Sequence, residues 1–173
     1  ALEGGTTAPF THATSASDGI AEVFYSLAGA LRGEADADYT LLYARLAYSL
    51  RPDHIDALLL SAELLEELGQ FDLAIDAYKK VPRTDTASHA AELGRAAALR
   101  SSGKSDAAIE VLAQLARRFP DMAIVHSTLG DALRNQDEFV DALASYDRAL
   151  ELVPEGSRGR WFIHYARAIA HER

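Results

Sequence analysis

The chain repeats itself every 34 residues, and this period restricts its possible folds more than any other feature of the sequence. Small residues recur at that interval in one column, and large aliphatic residues recur in two others. The three columns are Ala28/Ala62/Ala96/Gly130, Leu31/Leu65/Leu99/Leu133 and Leu41/Ile75/Ile109/Leu143. Several columns that share one period and one phase indicate an array of stacked supersecondary units.

The spacing of apolar residues within each repeat predicts α-helices. Apolar residues recur at steps of three and four, as in Val23, Leu27 and Leu31, and no segment alternates as a β-strand does. Alanine and leucine, which are strong helix formers, occupy 33 and 23 of the 173 positions. A break divides each repeat into two helices. The breaks lie near Gly33, Gly69, Gly103 and Gln136–Asp137. A second column of small residues, Thr40/Ala74/Ala108/Ala142, lies in the second helices. We expect both small columns to lie where two antiparallel helices approach most closely.

The fourth copy shows the pattern most completely. Its characteristic residues are Leu129, Gly130, Leu133, Phe139, Ala142, Tyr146, Ala149 and Pro154. These spacings resemble those of the tetratricopeptide repeat (TPR) family, whose unit is a helix-turn-helix of 34 residues, and the alanine-rich composition looks like that of bacterial multi-repeat proteins. The resemblance implies an all-α fold in which helix pairs stack into a right-handed α-α superhelix, or solenoid. The repeats would be 21–54, 55–88, 89–122 and 123–156, with a partial fifth at 157–173.

Three segments depart from this regular array. In the second copy Pro82 comes four residues before Thr86, where the array expects its proline, so we expect the second helix to end near Lys80. Residues 1–17 lack a helical period and are rich in Gly, Ser and Thr, which predicts a flexible lead-in before a repeat domain over 18–173. The last segment carries Trp161 and Tyr165 at first-helix spacing without a second helix, so we expect further repeats in the native protein. A solvating C-terminal cap is the alternative.

Charge and motifs exclude several classes of function. A formal charge of −9 and a pI near 5.1 disfavour nucleic-acid binding, which needs a basic face. No stretch reaches the roughly 18 apolar residues of a membrane helix, so we expect no membrane insertion. The chain has no cysteine and no phosphate-binding, dinucleotide, zinc-protease or serine-hydrolase motif. We therefore expect no enzymatic activity, no cofactor and no metal. The likeness to exported bacterial repeat proteins favours the periplasm or cell envelope over the cytoplasm.

The resemblance also implies where a ligand would lie. First helices would line a concave groove, with the second, fifth, ninth, twelfth and thirteenth positions of each repeat facing the ligand. The candidate residues are Tyr25, Arg32, Leu59, Glu63, Glu66, Glu67, Leu93, Arg100, Ser127, Asp131, Arg134 and Asn135. Three of the four twelfth positions are arginine, and this ladder could hold carboxylates of a partner by bidentate hydrogen bonds. In the alternative, the arginines pair with acidic neighbours in the groove and only make it soluble.

We therefore expect a non-enzymatic protein–protein interaction scaffold that binds a peptide or helix of a partner protein along the concave groove. Two alternatives remain open at this point. The chain could be the regulatory or targeting part of a larger enzyme, or an oligomerisation module that stacks through the exposed edge around Trp161.

Overall fold

The computed structural model describes residues 13–173, and over that range it contains nine α-helices and no β-strand. The helices are α1 (Ala16–Leu31), α2 (Ala37–Leu50), α3 (Ile55–Glu67), α4 (Phe71–Tyr78), α5 (Ser88–Ser101), α6 (Ser105–Arg118), α7 (Ala123–Arg134), α8 (Phe139–Leu152) and α9 (Arg158–His171). Each complete repeat contributes two consecutive helices, and α9 is the partial fifth. The all-α class that the sequence predicts is confirmed.

A single residue in left-handed backbone conformation lies at each predicted break. These residues are Gly33, Gly69, Gly103 and Asp137, with φ of 82°, 69°, 78° and 61°. Glycine adopts this conformation without a steric penalty, and aspartate is one of the few other residues that tolerate it. The breaks between first and second helices are therefore confirmed in all four complete repeats.

The first helix begins two residues earlier than the predicted start at Asp18. Ser15 and Asp18 form a capping box, in which the Asp18 amide donates to Ser15 Oγ and the Ser15 amide donates to the Asp18 carboxylate. This reciprocal pair satisfies two amides of the first turn, so the helix extends back to Ala16. Most of the predicted lead-in, residues 1–12, lies outside the described residues.

The fourth helix is the shortest and ends at Tyr78, two residues before the predicted end. The long loop expected at Val81 to Thr86 is present before α5. Arg118, in the last turn of α6, holds this loop by donating to the backbone carbonyl of Arg83 and to Ser88 Oγ. The early proline thus replaces the end of the helix with a loop that a later helix stabilises.

The chain divides into two compact units, Ala1–Gln70 and Phe71–Arg173. The boundary falls between the two helices of the second repeat, a division that the sequence did not predict. In the first unit α2 packs against α1 and α3. In the second unit each helix from α4 to α9 packs against the next, and the first helices α5, α7 and α9 also contact one another in turn.

The small columns are buried where helices meet. Ala28, Ala62, Ala96 and Gly130 are buried, and so are Thr40, Ala74, Ala108 and Ala142 one helix later. Side chains as small as these let two helix backbones approach, and the neighbouring aliphatic residues then fill the space between helices.

Candidate functional site

The second unit has an apolar groove of about 430 Å³ between α7 and α9. Ten residues line it: Ala123, Ile124, Ser127, Asp131, Tyr146, Val153, Gly159, Phe162, Ile163 and Ala166. Its volume falls within the range of about 300–1,000 Å³ that is typical of small-ligand sites. The groove exists because α7 and α9 are both first helices and present one continuous face, while α8 packs behind them.

The polar part of the groove is built on a contact between a glycine and a tyrosine. Tyr146 is fully buried, and its ring lies directly against Gly130, where a Cβ atom would come within 2.7 Å of ring carbon Cε1. The Tyr146 hydroxyl donates to Asp131 Oδ1 at 2.7 Å. Burial, followed by the charge and hydrogen bond of Asp131, raises the pKa of Tyr146 far above its usual value, so the hydroxyl remains a donor at neutral pH. The sequence pattern predicted Asp131 as a ligand-facing residue and placed Tyr146 at a signature position of the repeat, but it did not predict their hydrogen bond.

The groove walls carry two large, exposed apolar side chains. Ile124 on α7 is 56% exposed and Phe162 on α9 is 66% exposed. The Trp161 ring packs edge-on against Phe162 with centroids 4.6 Å apart, and it stacks on Tyr165 at 5.7 Å. Exposed apolar surface of this extent on one side of a repeat protein is typical of an interaction site.

The three arginines of the ladder differ in the ion pairs that they form. Arg32 Nη2 contacts Glu63 at 2.7 Å and Glu67 at 3.6 Å, and Arg134 Nη2 contacts Asp131 Oδ1 at 3.4 Å. Arg100 is exposed and forms no ion pair within residues 13–173. Two arginines of the ladder, Arg32 and Arg134, therefore pair with acidic neighbours. Arg32 and its two partners are roughly half exposed, and since exposed pairs contribute about 0–1 kcal/mol, a ligand carboxylate can compete for Arg32.

The candidates of the first unit form a separate acidic group. Tyr25 on α1 packs against the buried ring of His54 with centroids 4.7 Å apart. Burial raises the pKa of Tyr25, and the negative charges of Asp56, Glu22 and Glu63 raise it further. Tyr25, Arg32, Glu63 and Glu67 are therefore close neighbours, and Arg32 neutralises only part of the charge.

The remaining candidates lie on α3, α5 and the end of α7. Leu59, Leu93 and Glu66 are half-buried on α3 and α5, and Asn135 is exposed at the C-cap of α7. Ser127 lines the groove, but its hydroxyl donates to the Ile124 carbonyl. The sequence-predicted set thus contributes Ser127 and Asp131 directly to the groove, with Arg134 beside them.

Sequence reasoning missed most of the apolar lining. Ile124 is at the second position of its repeat, one of the positions expected to face a ligand, so this column could have revealed it. Phe162 and Ala166 lie on α9, where the repeat register is incomplete. Val153 follows α8 and belongs to no ligand-facing column.

Residues 13–173 contain neither a membrane-spanning helix nor a metal-binding cluster. No helix there is long and apolar enough to cross a membrane, and no three His, Cys, Asp or Glu side chains there are grouped as a metal site would require.

Solved structures of similar fold share little sequence identity with this chain. A structure of MamA matches with a TM-score of 0.71 at 20% identity, over 88% of this chain and 81% of that one. MamA 41-end from Desulfovibrio magneticus RS-1 matches at 0.68 and 17%, over 92% of each chain. YrrB, described as a TPR protein with an unusual peptide-binding site, matches at 0.63 and 15%, over 92% of this chain and 84% of that one. At these identities the similarity establishes the fold alone.

Comparison by sequence identifies the family. No curated protein matches the chain. Two family models, both described as tetratricopeptide repeat, match residues 56–84 and 93–157, which together make up more than half of the chain. Their matched stretches include the signature spacings of the fourth copy, most of the helices from α3 to α8 and the left-handed breaks at Gly69, Gly103 and Asp137. The chain belongs to the tetratricopeptide repeat family.

Proposed function

We propose that this chain is a protein–protein interaction scaffold whose second unit binds an extended peptide or a helix of a partner protein in the groove between α7 and α9. The observation that carries the proposal is the apolar groove of about 430 Å³ with Asp131 and Tyr146 at its floor. Mostly apolar walls with a few oriented polar groups are the usual composition of a binding site. The similarity to YrrB, whose structure is described as having a peptide-binding site, supports this proposal.

A large apolar side chain of the ligand would lie between Ile124 and Phe162. Both are more than half exposed in the free protein, so a ligand that covers them removes apolar area from water on both sides of the contact. Full burial of one Leu- or Phe-sized side chain contributes about 1.5–3 kcal/mol. This contact would provide affinity, because it requires no polar group to be desolvated.

Asp131 would orient the ligand. Its contacts with Tyr146 and Arg134 both end on Oδ1, which leaves Oδ2 to accept a hydrogen bond from a ligand amide or amine. Tyr146 cannot move away, because its ring is enclosed against Gly130, so the carboxylate is held in place before the ligand binds. Preorganisation of this kind lowers the entropy cost of binding.

Arg100 would select acidic ligands. It holds the same repeat position on α5 that Arg134 holds on α7, and α5 and α7 are neighbours. An exposed guanidinium without a partner among residues 13–173 is free to take a carboxylate by a bidentate contact. We therefore expect a ligand with one large apolar residue and an acidic residue toward the α5 side.

Selection from a random peptide library, followed by titration of a selected peptide, tests the proposal. Trp161 is the only tryptophan of the chain and touches Phe162, so its emission should shift when the groove is filled. Ile124→Asp and Phe162→Ser should each weaken the selected peptide roughly 10- to 100-fold, the equivalent of one lost apolar contact. Arg100→Glu should weaken only those peptides that carry an acidic residue.

Val140→Asp is the matched control, since Val140 is 81% exposed on α8 of the same unit and does not line the groove. It should bind the selected peptide as the unsubstituted chain does. If the Ile124 and Phe162 variants bound the selected peptide as tightly as the unsubstituted chain does, the binding site would lie elsewhere and the assignment of the groove would be refuted.

Self-association through α9 is the second candidate function, and the exposed cluster of Trp161, Phe162 and Tyr165 favours it. Sedimentation of Tyr165→Glu beside the unsubstituted chain tests this candidate. A dimer that this single change abolishes would support it, and a Tyr165→Glu chain with unchanged association would exclude it.

A further inference from the structure

The outer face of α1 is apolar and carries no charge over four helical turns. A stripe of five residues follows the heptad spacing of a helix-packing seam: Ala16, Ile20, Val23, Leu27 and Ala30. Within it Ile20 is 49%, Val23 65% and Leu27 38% exposed. The two acidic residues of α1 lie on other faces, since Asp18 closes the capping box and Glu22 pairs with Arg51 at 2.7 Å.

The other repeats show what such a face does. In each of the other three complete repeats the positions equivalent to Val23 and Ala30 are almost completely buried. The equivalent pairs are Ala57 and Leu64, Ala91 and Ala98, and Val125 and Ala132. There each first helix packs against the second helix of the preceding repeat, as α3 does on α2, α5 on α4 and α7 on α6. In α1 the same register positions are exposed, so its outer face has the shape and chemistry of a helix-packing surface that no helix among residues 13–173 covers.

We propose that the outer face of α1 packs against the same face of α1 in a second copy of the chain, with the two helices antiparallel across a two-fold axis at Val23. The proposal concerns the first unit alone and does not depend on the groove.

The pattern of side-chain sizes supports a second copy as the occupant. An antiparallel pair centred on Val23 places Ile20 opposite Ser26 and Leu27 opposite Gly19. The end of the stripe, Ala16, would then lie opposite Ala30. Ile20 and Leu27 each meet a small residue, and Val23 meets its own copy at the axis, a combination that allows close helix packing without voids. An interface related by a two-fold axis must be complementary to itself, and this stripe is.

Electrostatics also favour a second copy. A chain of net charge −9 repels another copy of itself, so contact is least costly where no charge lies on either side. The stripe meets this condition, and its flanking residues Gly19 and Ser26 are neutral as well. Interface centres are generally depleted of charged residues.

The contact is small, and this determines the concentration at which to look for it. About seven residues per copy fall well short of the 20–30 per side of a standard interface, so we expect a dissociation constant of roughly 10 µM to 1 mM. Sedimentation equilibrium of the full chain from about 10 µM to 2 mM covers this range.

The full chain should pass from monomer to dimer over this range. Val23→Glu places two carboxylates together at the two-fold axis and should weaken the dimer by about a hundredfold or more. Helix content and the denaturation midpoint should not change, because Val23 is exposed in the monomer. Val140→Glu and Tyr165→Glu, at exposed sites on α8 and α9, should dimerise as the unsubstituted chain does.

A cross-link provides a second measurement, because the chain contains no cysteine. Val23→Cys should form a disulfide-linked dimer under mild oxidation, since a disulfide needs Cα atoms within about 7 Å and the axis brings the two copies of this residue together. Val140→Cys should form no more than the background of random collisions.

Three results would overturn the proposal. The first is a chain that stays monomeric throughout the range. The second is a dimer that survives Val23→Glu but disappears with Tyr165→Glu, which would place the interface on α9. The third is a dimer that forms only after residues 1–12 are deleted, which would show that the chain's own N-terminal residues cover the stripe.

Discussion

Replacement of Gly130 by alanine should destabilise the second unit, although alanine is the better helix former. A Cβ atom at this position would lie 2.7 Å from Tyr146 Cε1, 2.8 Å from Cδ1 and 3.0 Å from Cζ. Carbon atoms in contact normally lie about 3.5–4.0 Å apart, so the ring would have to retreat by nearly 1 Å. It cannot do so freely, because Tyr146 is fully buried and its hydroxyl is bound to Asp131 at 2.7 Å.

The net effect is the difference between two opposing terms. Overpacking of a dense core costs about 1–3 kcal/mol, and the enclosed ring of Tyr146 places this site in the upper half of that range. The higher helix propensity of alanine raises the free energy of unfolding by about 1 kcal/mol when it replaces glycine within a helix. We therefore expect Gly130→Ala to lower the free energy of unfolding by about 1–2 kcal/mol. This corresponds to roughly 2–8 °C in the midpoint for a chain of this size.

Gly29→Ala is the matched control. Gly29 also lies within a helix, but no atom would come within 4 Å of an added Cβ. Only the gain in helix propensity applies there, so this variant should be more stable by up to about 1 kcal/mol. Urea denaturation followed by circular dichroism measures both variants. A Gly130→Ala chain as stable as Gly29→Ala would refute the packing argument.

The third repeat suggests how the stability lost in Gly130→Ala can be recovered. The residues equivalent to Gly130 and Tyr146 are Ala96 and Leu112. That repeat therefore has alanine in place of the glycine and the smaller leucine in place of the tyrosine. Combining Gly130→Ala with Tyr146→Leu should therefore recover part of the packing. We expect the double variant to be more stable than the sum of the two single effects predicts, by about 1 kcal/mol or more. Additive effects would show that the two side chains do not interact.

Three further changes test other features. Asp137→Gly should raise the free energy of unfolding by about 0.5–1 kcal/mol in urea denaturation, because Asp137 has left-handed backbone conformation, in which a Cβ atom has a steric cost that glycine avoids. An unchanged free energy of unfolding would contradict this. The Thr14 and Ser15 hydrogen bonds lower the pKa of Asp18 from 3.8 to about 2, so the first turn of α1 should lose amide-exchange protection as the pH falls from 3.8 to 2, and Asp18→Asn should abolish that dependence. Tyr146→Phe should cost about 0.5–1.5 kcal/mol in stability and also weaken a groove-bound peptide, since Asp131 loses the hydroxyl that holds it; unchanged peptide affinity would show that Asp131 does not orient the ligand.

The repeat period was sufficient to predict most of the fold. Columns such as Ala28/Ala62/Ala96 identify helix contacts because only small side chains fit where backbones approach, and periodic sequence records that requirement once per repeat. Pro82 likewise predicted the early end of α4, because proline cannot continue a helix. The boundary at Gln70 was not predictable, since the pattern on either side of it is that of an ordinary repeat.

The candidate site was less predictable than the fold. Column positions identified Asp131 and Ser127 and could have revealed Ile124, but Phe162 and Val153 lie where the repeat is incomplete or between helices. The arginine ladder was visible in sequence, and pairing with acidic neighbours was one of its two open interpretations. The pattern did not decide which arginines pair, because Glu63 and Arg32 belong to different repeats. A periodic pattern records which face a residue occupies and not which neighbour its side chain reaches.

Tyr146 links the packing of the fourth repeat to the chemistry of its groove. The same side chain fills the space that Gly130 leaves and donates to the carboxylate of Asp131. The third repeat has Ala96 and Leu112 at these places and Ala97 at the ninth position, so it has neither the hydroxyl nor the carboxylate. A leucine can pack as well as a tyrosine against a small residue, but it cannot orient a neighbouring acid. The glycine–tyrosine pair therefore does more than packing requires, and its additional effect is to hold a polar group in the apolar groove of this one repeat.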